Sequence, residues 1–459
     1  MIGQLIQPEI EQLINARNWI TLKEIFSEMH PSETADIISD IPEKDRAIVF
    51  RILPKENSYK TFEYLEFDIQ EELLKSLAKE ELAEILNEMS PDDRTEFLEE
   101  LPGPVVKELV RLLSPEERAI AVKLLGYPED SIGRIMTPDF IAVKSQWTIE
   151  KVLSHIRKIG KEVEYIDTIF ATDSAGKILD EITIKEVLLA KPDSIAEEIM
   201  NNTYVSLNVM DDKEKAVEMF KEYDLYVIPV VNDENYLVGI VTADDVIDVI
   251  EEEATEDIQK FGGMEALDEP YITVPLFQMV RKRAGWLVIL FFGEMLTATA
   301  MGFFEHEIAK AVVLALFIPL IISSGGNSGS QAATLTIRAM ALGEIKLIDW
   351  WRVMRREIIS GLLLGLVLGI IGFLRILVWN SFSNIYGEHW FLIGLTLFFT
   401  LIGVVMWGTL SGSMLPFVLK RFGLDPATSS APFVATMVDV TGLIIYFTVA
   451  TLLLTGTLL

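Results

Sequence analysis

The sequence predicts a multidomain membrane protein. It should contain an α-helical superhelical N-terminal domain, a duplicated α/β region, an acidic connecting helix and a five-helix α transmembrane domain. Three observations carry that prediction. Charge is divided unequally along the 459 residues: positions 281–459 hold 9 acidic and 12 basic side chains, whereas the preceding part holds 60 acidic and 27 basic ones. Two different phrases recur within the acidic part. The C-terminal part offers five apolar stretches near the roughly 20 residues that a helix needs to cross a bilayer. The expected boundaries are 1–129 for the helical domain, 130–250 for the duplicated region, 251–275 for the acidic helix and linker, and 276–459 for the transmembrane domain.

Composition narrows the function classes. A net of −33 before position 281 argues against nucleic acid, whose binding needs a basic surface, and fits either solubility or the binding of many cations. There is no cysteine, which excludes disulfides and thiolate metal sites, and four scattered histidines argue against a His-rich zinc or copper site. The opening MIGQLIQPEIEQ lacks the basic segment and long apolar core of a cleavable signal, so the N-terminus is expected in the cytoplasm. No Walker loop, zinc motif or catalytic triad is present, and an enzyme is not expected.

Residues from about 10 to 128 read as short helices. SEMHPSETADIISDIP (27–42) and NEMSPDDRTEFLEELP (87–102) match at a spacing of 60, with Pro31 and Pro91 in first-turn positions after polar caps. Intermediate phrases such as ILPKE and LLSPEE extend the pattern into a solenoid-like stack.

From about 131 the texture changes. GRIMTPDFIAVKSQWTIEKVLSHIRK (133–158) is echoed by EEIMNNTYVSLNVMDDKEKAVEMFKE (197–222), with Met136 and Met200 aligned. Each echo has a short β-branched run followed by an amphipathic helix. IDTIFATDSAGKI (166–178) and YVIPVVNDENYLVGIVTADDVIDVI (226–250) then read as hairpins leading into helices. IMTPDFIAV, YVIPVV and LVGIVTADDVI resemble a tandem pair of CBS domains. The first repeat departs from that pattern, since DEITIKEV stands where a Gly-rich strand is usual. The resemblance implies a regulatory module and places Thr242 and Asp245 where a nucleotide ribose is held. A capping Thr with a surface Asp is the competing structural explanation.

EEEATEDIQKFGGMEAL (251–267) continues as an acidic helix and reaches the membrane through DEPYITVP. The spans are expected at about 284–304, 310–335, 358–379, 391–418 and 432–456. Arg281, Lys282 and Arg283 precede the first span. Arg338, Lys346, Arg352, Arg355 and Arg356 lie between the second and third, and Lys420 and Arg421 between the fourth and fifth. Every basic loop therefore falls on the side that bears the soluble region, which is the cytoplasmic side, and an odd span count puts the C-terminus outside.

Several polar groups lie where lipid should be. IPLIISSGGNSGSQAATLTIRA (318–339) interrupts the second span. Tight packing accounts for its glycines but not for Asn327, Ser330 and Gln331 together, so the lining of a hydrated path is the better account. Glu294 could pair with another span, line that path or take a proton. Asp439, in VATMVDVTG beside Thr436, costs about 2.5–3.5 kcal/mol on insertion scales and is a functional candidate for that reason. Two converging carboxylates suit magnesium, which keeps its waters.

The order of regions, with EEEATEDI (251–258), GGNSGSQAATL (325–335) and GLDPATSSAPFVATMVDVTGLIIYF (423–447), resembles the MgtE family of magnesium channels and transporters over essentially the full chain. The resemblance implies a homodimer in the bacterial inner membrane, with a pore between ten spans and Asp439 holding hydrated Mg²⁺ in it. It also implies regulatory Mg²⁺ sites that keep the pore closed at high internal Mg²⁺. The matching acids are Asp92, Glu96, Asp212, Glu214, Asp224, Asp245 and Asp248, then Glu253, Glu256 and Asp257 in the connecting "plug" helix, and Asp425. At Glu96 and Glu214 the family usually also has Asp. An adenine nucleotide at the CBS pair is a further implied ligand. The rivals are an ion-coupled carrier of Mg²⁺, Co²⁺ or Mn²⁺, and a membrane-anchored sensor that transports nothing.

Overall fold

A computed structural model describes residues 2–161, 163, 165–267, 271, 274–383 and 386–458. Most of the predicted DEPYITVP connection (268–275) lies outside the described residues. The chain divides into two compact units, 1–251 and 252–459, and the division falls inside the helix Ala243–Phe261.

The first unit begins with short helices, from Ile2–Asn15 through Pro115–Leu124, mostly nine or ten residues long. Proline occupies the first turn of Pro31–Asp40, Pro91–Glu99 and Pro115–Leu124. There its missing N–H costs nothing and its fixed φ favours the helix start. The His30 ring accepts from the Ser32 N–H and Ser114 Oγ from the Glu117 N–H, which satisfies donors the helices leave open. Alternate helices pack on each other: Ile2–Asn15 on Pro31–Asp40, that on Lys55–Glu63, and that on Lys79–Glu88. The result is the predicted superhelical stack, around a core that includes Phe26, Ile38, Phe62, Leu73 and Phe97.

Two three-stranded sheets follow, β1 (Ala142–Lys144), β2 (Thr168–Thr172) and β3 (Ile178–Thr183), then β4 (Leu207–Asn208), β5 (Val227–Val231) and β6 (Leu237–Thr242). In each sheet the first strand pairs parallel with the second, and the second antiparallel with the third. The repeat is therefore structural as well as sequential. β-bridges Thr137–Ile240 and Lys177–Tyr236 tie one repeat to the other.

The departure in the first repeat has a local explanation. Asp180 opposes Ala171 as Gly239 opposes Val230. A Cβ at Gly239 would meet Met136 Sδ at 2.7 Å, so only glycine lets the Thr137 N–H reach the Ile240 carbonyl at 2.9 Å. Asp180 solves the same closure differently: its Oδ2 accepts the N–H groups of Asn201 at 2.6 Å and Asn202 at 3.0 Å.

Among its described residues the second unit contains five helices long and apolar enough to cross a membrane: Leu276–Phe303, Val312–Ala341, Leu347–Phe382, Trp390–Arg421 and Ala431–Leu454. They overlap the five predicted stretches; the first four extend past them into the basic flanks, and the fifth ends slightly short of its predicted end. The predicted interruption of the second span does not break it, for Ile318–Ala341 is one continuous α-helix through GGNSGSQ. Its glycines work by close approach. A Cβ at Gly408 would lie 2.4 Å from the Gly325 carbonyl oxygen, and one at Gly412 would lie 2.1 Å from that of Gly329. The second and fourth spans therefore cross backbone on backbone, as small-residue faces allow in lipid.

Candidate functional site

The second span presents two faces. Gly325, Ser328, Gly329, Ala332 and Ala333 are buried, whereas Ser323, Asn327, Gln331 and Thr334 are exposed along the other side. Spacings of four, four and three put those four polar residues on one helical stripe. Asn327 Nδ2 donates to Ser323 Oγ at 3.3 Å within that stripe. Among the described residues, nothing covers this polar stripe.

Asp439 stands beside it. A Cβ on Gly326 would be 3.9 Å from Asp439 Oδ1, which places the carboxyl against the second span. The carboxyl of Glu294, on the first span, lies within hydrogen-bonding reach of Asp439. Glu294 is exposed and stands next to a second intramembrane acid, a placement that leaves all three of its roles open. The approach depends on Gly293, where a Cβ would come 2.5 Å from Thr436 Cγ2. Two of the expected lining residues are engaged with helix backbone: Thr436 Oγ1 donates to the Pro432 carbonyl at 3.0 Å and Ser330 Oγ to the Ala431 carbonyl at 3.2 Å. The Ser330 bond fastens the second span to the fifth, so the stripe and Asp439 share one frame.

A second group of acids lies in the first unit. Helix Pro91–Glu99 opens with Asp92 and Asp93, and helix Ala243–Phe261 opens with Asp244 and Asp245. The acidic first turns suit the helix dipoles but set carboxylates against one another. Burial and the charge of Asp92 push the Asp245 carboxyl well above its usual range. Burial, then Asp93, Asp244 and Glu251, raise Asp248, while burial and Asp244 outweigh the Ser90 hydrogen bond to raise Asp93. These groups resist ionising where they stand, and a divalent cation between them would relieve the repulsion. Asp93 and Asp244 were not among the expected residues. The doubled acids in SPDDR and TADDV were the available signal.

The remaining expected residues are dispersed. Glu96, Asp212, Glu214 and Asp224 are exposed, and Asp224 ends helix Glu214–Tyr223 in the left-handed region at φ 51°. Asp212 lines an open cavity of about 580 Å³ with Tyr127, Glu129, Asp130 and Arg134. Glu253, Glu256 and Asp257 are half-buried on the acidic helix. Among the described residues no group of three or more Asp, Glu or His side chains stands close enough to hold an ion. Within the first unit Asp92 and Asp93 face Asp244, Asp245 and Asp248.

Thr242 and Asp245 answer each other. The Thr242 N–H and Oγ1 both donate to Asp245 Oδ2, at 2.9 and 2.6 Å. Asp245 thus caps the start of its own helix, whereas the structural explanation had a capping Thr and a surface Asp; here the acid is the acceptor and is partly buried.

Comparison with known proteins decides what kind of chain this is. The profile of the MgtE family, described as a divalent cation transporter, matches residues 318–449, and the MgtE intracellular N domain matches 29–130. A CBS domain matches 196–252. The magnesium transporter MgtE of Thermus thermophilus is 37% identical over 445 residues, 94% of this chain and 95% of that protein. The chain belongs to the MgtE family. The MgtE of Bacillus subtilis is 28% identical, covering 94% of this chain and 93% of that protein. A solved cytosolic domain of the Mg²⁺ channel MgtE in complex with ATP is 32% identical, with a TM-score of 0.51, and covers 53% of this chain and 99% of that one. The soluble part of a magnesium transporter gives 25% identity and a TM-score of 0.52, over 55% of this chain and 99% of that one. This MgtE chain is thus a multi-pass membrane protein of a transporter family, with a helical N-domain and a CBS pair.

Proposed function

We infer that the protein is a Mg²⁺-selective channel for magnesium uptake, closed by Mg²⁺ bound to its acidic cytoplasmic regions. The observation that carries this is the uncovered intramembrane stripe of Asn327 and Gln331 beside Asp439. Polar groups persist at that depth when they face water or protein. In a homodimer two such stripes meet across the axis, and two Asp439 carboxylates hold the ion through its water shell. Relatives named magnesium transporters support Mg²⁺ as the ion. The basic loops support a cytoplasmic N-terminus and an outer C-terminus.

Closure follows from the acids. Mg²⁺ between Asp92 or Asp93 and Asp245 or Asp248 favours the state in which those surfaces are together, so rising internal Mg²⁺ shifts the protein toward it. Sites at Glu96, Asp212, Glu214, Asp224, Glu253, Glu256, Asp257 and Asp425 act in the same sense. Substituting Asp245, Asp248 and Asp257 with Ala should leave the channel open at high Mg²⁺, and unchanged closure would sink the feedback account. The relative solved with ATP supports an adenine nucleotide at the CBS pair. The closeness of Glu294 to Asp439 favours one second reading, an ion-coupled carrier. Unitary currents separate the two, because a carrier is too slow to show them.

A further inference from the structure

The C-terminal end of the acidic helix is seated by a cation that belongs to the protein. Lys260 Nζ lies 2.5 Å from Glu256 Oε1, one turn earlier on the same helix, and 2.9 Å from Asp425 Oδ2 between the fourth and fifth spans. All three side chains are largely covered, with 27%, 34% and 35% exposed respectively. Burial works against the ammonium charge, but the bonds to Glu256 and Asp425 overcome it and hold the Lys260 pKa above its ordinary value. Asp425 is itself fixed, since its other oxygen accepts the Ala427 N–H at 2.8 Å.

Packing marks the same junction. Gly263 has φ +75°, and a Cβ there would be 3.3 Å from Pro432 Cγ and 3.4 Å from Ser430 Oγ at the start of the fifth span. Phe261 packs on the membrane core, and the Glu265 N–H donates to the Lys282 carbonyl at 3.2 Å. Glu256 and Asp425 touch one nitrogen, so they stand close enough to repel strongly without a positive charge between them.

We propose that Lys260 is a positioning residue whose ammonium holds the acidic helix on the loop between the fourth and fifth spans when no divalent ion lies between Glu256 and Asp425. A divalent ion at that pair takes over the same task. The second half of this statement rests on the feedback reading above, while the first does not.

The test uses the full-length protein in nanodiscs. The cysteine-free chain accepts a pair of spin labels on cysteines placed at Ile258 and Leu424, both exposed at 73% and 55%. Electron–electron resonance in EDTA should give one narrow distance for the parent and for Lys260→Arg. Lys260→Met should lose that narrow distance in EDTA and regain it with saturating Mg²⁺. The double variant Lys260→Met/Asp425→Asn, which removes the repulsion, should recover a narrow distance without Mg²⁺. A Lys260→Met protein that keeps the narrow distance in EDTA overturns the proposal. A distance that broadens in EDTA and stays broad in Mg²⁺ upholds the role of Lys260 and counts against ion binding at Glu256 and Asp425. The two failures are thereby told apart.

Discussion

Carboxylate stands against carboxylate in both units, but the frames around the two pairs differ in kind. In the first unit Asp245, in the first turn of the 19-residue helix Ala243–Phe261, faces Asp92 in the first turn of the short helix Pro91–Glu99. In the second, Asp439 meets Glu294 where Gly293 lets the first span come close to Thr436 of the fifth, beside second and fourth spans that cross backbone on backbone. The first arrangement is therefore expected to yield when its charge balance changes, and the second to keep its spacing. A device that senses an ion needs the former, and a path that selects one needs the latter.

Breaking the rigid frame should have the largest effect. Gly412→Leu drives a side chain into the Gly329 carbonyl and should cost several kcal/mol, so that no monodisperse folded protein survives size-exclusion chromatography. Gly302→Ala, where nothing lies within 4 Å of the added carbon, should purify like the parent. Equal behaviour of the two would remove the distinction between the frames.

Relieving the yielding pair should have a moderate effect of the opposite sign. Asp245 has a raised pKa, so its ionised form penalises the folded state. The penalty grows as pH rises from the ordinary carboxylate value through the folded one, and is fully present above both. Asp245→Asn keeps an oxygen for Thr242 and removes the charge. Its melting temperature in EDTA at neutral pH should rise by about 2–4 °C, as about 1 kcal/mol would give in a unit of this size. Its further gain on adding Mg²⁺ should shrink relative to the parent. A fall in EDTA, or an undiminished gain with Mg²⁺, would show that repulsion does not govern this pair.

The smallest effect concerns the tie between the stripe and Asp439. Ser330→Ala loses one hydrogen bond to the Ala431 carbonyl, worth ~0.5–1 kcal/mol. Mg²⁺ flux into proteoliposomes should fall modestly while folding is retained. Abolished flux would give Ser330 a direct part in the path.

What could be read in the sequence follows the range of the interactions. The five spans are long apolar runs between basic loops, and the helical stack announces itself in repeated Pro-led phrases. The continuity of the second span was hidden, because GGNSGSQ reads equally as a break or as a close-packing face. Only the Gly325–Gly408 and Gly329–Gly412 approaches decide between them. The first CBS repeat was obscured by Asp180, whose replacement of a glycine makes sense once its bonds to Asn201 and Asn202 are seen. Lys260 shows its i,i+4 partner Glu256 in the sequence, whereas Asp425 lies 165 positions away and needed the fold. Glu294 was visible as an intramembrane acid, and its nearness to Asp439 was not.

The most direct test is the Mg²⁺ current of Asp439→Ala recorded beside the parent, with expression and oligomeric state matched. The account expects unitary Mg²⁺ currents in the parent and their loss in the variant. Full Mg²⁺ current through Asp439→Ala would contradict it.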